Sequence, residues 1–270
     1  MSRPRLRMLA GPGVNLSAAR NAGFIEARHH VVVATDAGCR PVPGWLEALR
    51  APFAEPDPAD LATGVYRVST RNRLEEAFAL SCFPDPDEAR RPTPLARVYG
   101  ALLGRRFDPR RLDGRSMAVT VEAWKAAGGF REDLFSSEDA LFGEAVVATG
   151  GRPVLAVDAE VCWDQHPSLA ATARMFYRYG QWGARGGSWG LVRRDLLRAG
   201  AYLAGPWLLV RGGPAGRVAA AAGAGAYLSL PLVRAVRQRR RPGTFLALPL
   251  ALAVKDLAKA AGCLDGLVRR

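Results

Sequence analysis

The run Val31-Val-Val-Ala-Thr-Asp36 decides how the rest of the chain is read. Consecutive β-branched and small apolar residues give a strand no polar face, so both sides must be covered. Such a run is expected in a buried parallel strand, here ending at Asp36. Downstream, Pro43-Gly-Trp-Leu-Glu-Ala-Leu49 has helical spacing, with Pro43 suited to a first turn. A second strand is expected over 60–68, a helix over 72–82, and a polar, proline-rich loop from Pro84 to Pro94. Ser116-Met-Ala-Val-Thr-Val121 is again strand-like and leads into a short helix over 122–127 that stops at Gly128-Gly129. Ser136 or Ser137 can cap a helix from Glu138 to Thr149, ended by Gly150-Gly151. Two short strands, 153–157 and 160–163, precede a long helix carrying aromatic residues over 169–185. This alternation predicts an α/β fold with helices on both faces of a mostly parallel sheet.

Outside that pattern the chain changes character. From Leu196 to Arg270 there are twelve Lys or Arg against Asp256 and Asp265, a net +10. The preceding 195 residues hold 26 basic and 23 acidic side chains, a net +3. The overall +13 is therefore a property of the tail, and no nucleic-acid partner is expected from so evenly balanced a head. The tail also holds the uncharged runs 199–210, 218–233 and 242–254, with Arg234, Arg237 and Arg239-Arg-Arg241 between the last two. Apolar runs bordered by arginine predict transmembrane or interfacial helices, with the basic loop on the cytoplasmic side. Each run is shorter than the roughly 18–20 residues of an isolated span, and snorkelling Arg198, Arg211, Arg217 and Arg234 would lengthen two of them. The Gly/Ala tract over 219–225 is expected to pack closely against another helix. Domains are accordingly expected over 1–190 and 191–270. The four cysteines are scattered with no C-x-x-C pair, which excludes a zinc ribbon and a disulfide scaffold.

Four places carry candidate chemistry. Asp36, at the carboxyl end of its strand, stands where α/β sheets collect ligands and suits a divalent cation holding a diphosphate; the alternative is a cap on the Ala37-Gly38 turn. Glu138-Asp139 opens a helix, where carboxylates also simply complement the helix dipole. Arg20-Asn21 follows the turn-rich segment 11–17, and a guanidinium beside such a turn suits phosphate. Met175-Phe-Tyr-Arg-Tyr-Gly-Gln-Trp-Gly-Ala-Arg185 is either a packing stripe or a ligand face. His29, His30 and His166 lack matching ligands and are read as structural.

Taken in order, Asn15-x-Ser17-x-x-Arg20-Asn21-x-Gly23, Val-Val-Ala-Thr-Asp36-Ala-Gly38 and Pro43-Gly-Trp45-Leu46 resemble family 2 glycosyltransferases of the GT-A type. The resemblance continues through Ser116-Met-Ala-Val119, Trp124-x-x-x-Gly128-Gly129-Phe130, Ser137-Glu138-Asp139-x-Leu-Phe142, Gly150-Gly-Arg152, Val161-Cys-Trp163 and Phe176-Tyr-Arg-Tyr-Gly180. It implies a GT-A-like, Rossmann-like sheet and sugar transfer from a nucleotide-sugar donor to an acceptor hydroxyl. A divalent cation, Mg2+ or Mn2+, would be the cofactor. By resemblance Asp36 is the metal or diphosphate ligand, Asp139 the base with Glu138 beside it, and Arg20 and Asn21 lie near the nucleotide. Arg178 and Arg185 would face the donor diphosphate, with Trp163, Tyr179 and Trp182 on the acceptor side. The implied acceptor is a lipid-linked or envelope glycan, at a cell membrane with the catalytic domain cytoplasmic. Gly38 replaces the second Asp of the family's Asp-x-Asp, so a metal would rest on Asp36 and other groups. Relatives carry two further β-α units before the strand expected at Arg5–Leu9, which implies weak binding of UDP-sugars by this chain, or a non-catalytic membrane protein using the fold as a binding surface.

Overall fold

The computed structural model of the protein describes residues 8–9 and 15–269. Helix α1 (Leu16–Ile25) is followed by β1 (Val31–Ala34), β2 (Cys39–Pro41), α2 (Trp45–Arg50) and β3 (Leu61–Ser69). Then come α3 (Arg73–Cys82), α4 (Pro86–Arg90), α5 (Pro94–Leu103), β4 (Met117–Thr120), α6 (Val121–Ala126) and α7 (Glu138–Ala148). Strand β5 (Pro153–Asp164), α8 (Leu169–Arg185), α9 (Trp189–Arg211), α10 (Gly213–Arg237) and α11 (Pro242–Val268) complete the chain. The fold is α/β, as the alternation implies. The strand expected at Arg5–Leu9 and the turn over 11–14 lie mainly outside the described residues; Met8 and Leu9 are exposed and not in a strand.

The sheet corrects the expected strand direction. Its order is β1-β4-β3-β5-β2, and only β3 and β5 run parallel; β1/β4, β4/β3 and β5/β2 are antiparallel. Strand β1 pairs with β4 alone among the described residues and is half-buried. Its valines are uninterrupted because both faces are nevertheless covered. Val32 and Ala34 pack on the cluster of Phe24, Met117, Phe142 and Val146, while Val31 and Val33 pack on that of Leu49, Ala62 and Ala118. Covering both faces needs apolar residues whichever way the neighbouring strand runs, so composition could not report direction.

Two smaller expectations also change. The loop from Pro84 to Pro94 contains α4, started by Asp85, whose Oδ1 accepts the Asp87 N–H at 2.8 Å, with Pro86 in the first turn. The two short strands over 153–163 are one strand, β5, whose register against β3 slips between Thr63 and Val65. That irregularity breaks the period-two pattern and made one strand look like two.

The tail is bolted to the head through glycine. A Cβ on Gly180 of α8 would sit 2.0 Å from the Lys259 carbonyl of α11, and one on Gly262 would sit 2.0 Å from the Tyr177 carbonyl. These bare backbones let α8 and α11 touch, so Gly180 is a packing residue and not part of a ligand face. The Gly/Ala tract over 219–225, expected to be such a seam, is exposed instead. Leu248 and Ala251 of α11 bury against Phe78 and Phe176, which accounts for much of the apolar run 242–254. Gly262→Val must push the helices apart. It is expected to cost about 1–3 kcal/mol, read as a lower unfolding midpoint, and an unchanged midpoint would contradict the seam.

Among the described residues α10 alone is long and apolar enough to cross a membrane, by length and composition. It forms a hairpin with α9 whose outer part exposes Leu203, Trp207, Val210 and Val218. Arg198 and Arg234 do not snorkel. Arg198 donates to the Leu103 carbonyl and to Asp195, and Arg234 is buried on Glu88 (2.7 Å) and on the Leu80 and Phe83 carbonyls. These two arginines fasten the base of the hairpin to the head.

Candidate active site

A cleft of about 430 Å³ opens where β1 ends, beside Thr63 and Tyr66 of β3. Because β4 runs antiparallel to both, its entry segment Asp113-Gly-Arg115 arrives at the same place. Asp36, Asp113, Glu138, Asp139 and Tyr179 all line the cleft.

Arg20 organises the acidic side. From α1 its Nη1 donates to Glu138 Oε1 at 2.8 Å and its Nη2 to Asp36 Oδ1 at 2.7 Å. Arg20 and Glu138 are both buried, and Asp36 is partly open to the cleft. A Cβ on Gly114 would stand 2.0 Å from Arg20 Nη2, so only glycine leaves room for the guanidinium. The Gly114 N–H then donates to Asp139 Oδ2 at 2.9 Å, while Asp139 Oδ1 accepts from the Ala140 N–H at 2.7 Å. Burial, followed by the nearby charges of Glu138 and Asp113, pushes the Asp139 carboxyl up to about 7 against the opposing pull of Arg20. Asp139 therefore exchanges its proton near neutral pH.

The turn before this pair is under strain. Ser137 has φ 62°, the left-handed region, immediately ahead of Glu138. A non-glycine residue there costs on the order of 1–2 kcal/mol, and such strain collects where a backbone must aim a functional side chain. Ser137 caps α7 only by position: its hydroxyl donates to the Tyr179 carbonyl at 3.4 Å, not to the helix.

Arg115 is the residue that sequence reasoning missed. It pairs with Asp113 at 2.9 Å, lies 4.2 Å from the Trp163 ring centre and 4.5 Å from that of Tyr66, and donates to Tyr179 Oη at 3.3 Å. These neighbours hold its guanidinium charged despite burial. Trp163 and Tyr179, expected on the acceptor side, are thus brought together around a cation. The available signal was Asp113-Gly-Arg115 leading directly into Ser116.

The remaining candidates fall elsewhere. Asn21 donates to the Phe130 carbonyl and to Glu132, and accepts from Trp124 Nε1 and the Phe130 N–H, so its amide is engaged in clamping α1 to the Gly128-Gly129 turn. Arg178, Trp182 and Arg185 do not line the cleft. On a helix advancing 100° per residue they share one face, turned away from that of Phe176 and Tyr179. Trp182 packs on Phe135, and Arg185 lies 4.7 Å over the Trp182 ring. His29 and His30 are exposed, and His166 packs edge-on against Trp163.

The donor set fits a divalent cation in one way only. No three His, Cys, Asp or Glu side chains converge among the described residues, so there is no cage. Asp36 has one oxygen on Arg20 and is itself part of the cleft lining, which suits a cation that arrives already carried by phosphates, the usual habit of Mg2+.

No protein-family model matches the chain, and no curated protein sequence does. Among solved structures it is similar to a mannosyltransferase from Pyrobaculum calidifontis in complex with GDP-mannose and Mn2+. The identity is 19% and the TM-score 0.44, over 89% of this chain and 66% of that one. The chain thus spans just under two thirds of that structure's length.

Proposed function

We propose that the protein is a GT-A-type glycosyltransferase of family 2, which passes a sugar from a nucleotide-sugar donor to an acceptor hydroxyl. The observation that carries this reading is the Asp36–Arg20–Glu138 bridge, with Asp139 beside it in the same cleft. Arg20 holds the two carboxylate-bearing segments together and so positions the site. Asp139 takes the proton from the acceptor hydroxyl as that oxygen bonds to the anomeric carbon. The bond from carbon to diphosphate breaks, and the nucleoside diphosphate leaves with the electron pair. A divalent cation held by Asp36, when bound, would offset the charge of the departing diphosphate. Arg115, backed by Tyr66 and Trp163, supplies a fixed positive charge at the cleft wall. The test is release of nucleoside diphosphate from a panel of nucleotide sugars by detergent-solubilised protein with Mg2+ or Mn2+. Absence of both donor binding and release across the panel would reject the reading.

The apolar α9–α10 hairpin supports work at a membrane surface, with the head cytoplasmic and a lipid-linked or envelope glycan as acceptor. Leu203 and Val210 are 79% and 72% exposed, which water disfavours and a bilayer accepts. The full chain is expected to sediment with membranes through a high-salt wash. The double substitution Leu203→Asp and Val210→Asp is expected to move it into the soluble fraction. Salt release of the unaltered chain would mean electrostatic adsorption alone.

A further inference from the structure

The end of the cleft away from Asp139 is built from cations. Arg105 on the loop after α5, Arg194 and Arg198 of α9, and Lys255 and Lys259 of α11 all line it. Among the described residues only Asp195 and Asp256 form ion pairs with this group. Asp195 takes Arg198 at 3.1 Å and Lys259 at 3.0 Å, and Asp256 takes Lys255 at 2.8 Å. Arg105 has no carboxylate partner among the described residues and donates to the Ser81 carbonyl and to the hydroxyls of Tyr99 and Tyr227. Arg194 has no hydrogen bond or ion pair among the described residues, and its Nε is buried without a partner. Its guanidinium lies against Gly104, where a Cβ would stand 1.9 Å from Nη1, so the backbone is shaped to receive it. Burial and the neighbouring Arg198 and Arg111 pull Arg194 down to about 10, and burial with Arg105 pulls Lys255 down to about 7. A protein gains nothing in stability from holding unmatched cations together out of water. The arrangement becomes favourable once an anion enters.

From this geometry we infer that the basic end of the cleft binds a phosphate group on the acceptor, through Arg194 with Arg105, Arg198 and Lys259. The inference rests on the transferase reading of the cleft and names its acceptor as a phosphate-bearing molecule. The hairpin supplies the source: Arg194 and Arg198 stand at its base, where the exposed apolar face begins, so a phosphate there belongs to a lipid-anchored acceptor. The competing source of the same chemistry is the donor diphosphate.

Arg194→Gln separates these cases. Thermal midpoints and titrations are measured on the detergent-solubilised full chain with inorganic phosphate, a short-chain alkyl phosphate and a nucleoside diphosphate. Arg174→Gln, an exposed change on α8, serves as the charge-matched control. The expected result is a higher midpoint than wild type without ligand, because an unmatched charge is removed. Alkyl phosphate binding should weaken by about tenfold or more, with nucleoside-diphosphate binding unchanged and the control behaving as wild type. A lower ligand-free midpoint with unchanged alkyl-phosphate affinity would make Arg194 structural and overturn the inference. Loss of nucleoside-diphosphate binding instead would assign the cations to the donor and overturn it as well. These are binding measurements, so absence of sugar transfer would defeat the transferase reading without deciding this one.

Discussion

Asp139→Asn is expected to lower sugar transfer by about 10²–10⁴-fold with donor affinity nearly unchanged. Asparagine cannot take the acceptor proton, while the proposed function assigns the donor diphosphate to the Asp36 side of the cleft. The wild-type rate should fall as the pH drops below about 7, because the Asp139 carboxyl must be ionised to act as a base and burial with Glu138 and Asp113 has raised it to that value. The variant should lose this acidic limb. Both Asp139 oxygens accept backbone N–H groups, from Gly114 and Ala140, so an amide must turn a donor toward one of them. The variant's unfolding midpoint is therefore recorded beside its rate. Wild-type turnover would return Asp139 to the role of a helix-start charge. The same shift sets a stability trend in the unaltered protein. The folded carboxyl titrates at about 7 and the ordinary one at 3.8, so the folded state holds the proton more tightly. Its contribution to stability falls as the pH rises between those values.

Arg20→Met should be the most destabilising single change in the head. It strands Glu138 in a buried position and removes the cation shared with Asp36 and Asp139. Losing one partner of a buried ionic group costs roughly 3–5 kcal/mol. Arg20→Lys keeps the charge but has no fork to reach two carboxylates at once, so it should recover only part of the loss. Arg20 also pulls the Asp139 carboxyl down, so in the lysine variant, if that pull weakens, the acidic limb of the rate profile moves to higher pH. Denaturant unfolding of the three proteins decides this. A loss under about 1 kcal/mol for Arg20→Met would place the pair in the range of solvent-exposed bridges and contradict the hub.

Much of the candidate site was legible because short-range chemistry wrote it. Asp36 stands at the end of an apolar strand, and Glu138-Asp139 stands at the start of a helix flanked by Ser136-Ser137 and Gly150-Gly151; both positions follow from local pattern. Arg115 was not legible. Its importance comes from Trp163 and Tyr66, 48 and 49 positions away in sequence, and from the antiparallel course of β4. Under the expected parallel sheet, Asp113-Gly-Arg115 would enter at the opposite edge. That Arg178 and Arg185 lie off the cleft was hidden for a related reason. The segment carries aromatic and basic residues on all sides, and only the contact of α8 with α11 through Gly180 and Gly262 fixes which side meets the cleft.

The sequence by itself determined the α/β class, the boundaries of most helices and strands, the acidic pair, Asp36, and the apolar, basic nature of the tail. Each is set by periodicity, capping or composition within a dozen residues, where backbone geometry and solvent exposure leave few alternatives. Only the tertiary structure decided strand direction, the bridge through Arg20, and the return of α11 onto the head. The bridge joins residues 118 positions apart. Such pairings depend on which surfaces meet after collapse, and two faces equally apolar, or two arginines equally charged, carry no local mark of the partner they will find. The unmatched Arg194 belongs to the same class: its sequence neighbour Asp195 looks like a counter-ion, yet the fold gives that carboxylate to Arg198 and Lys259.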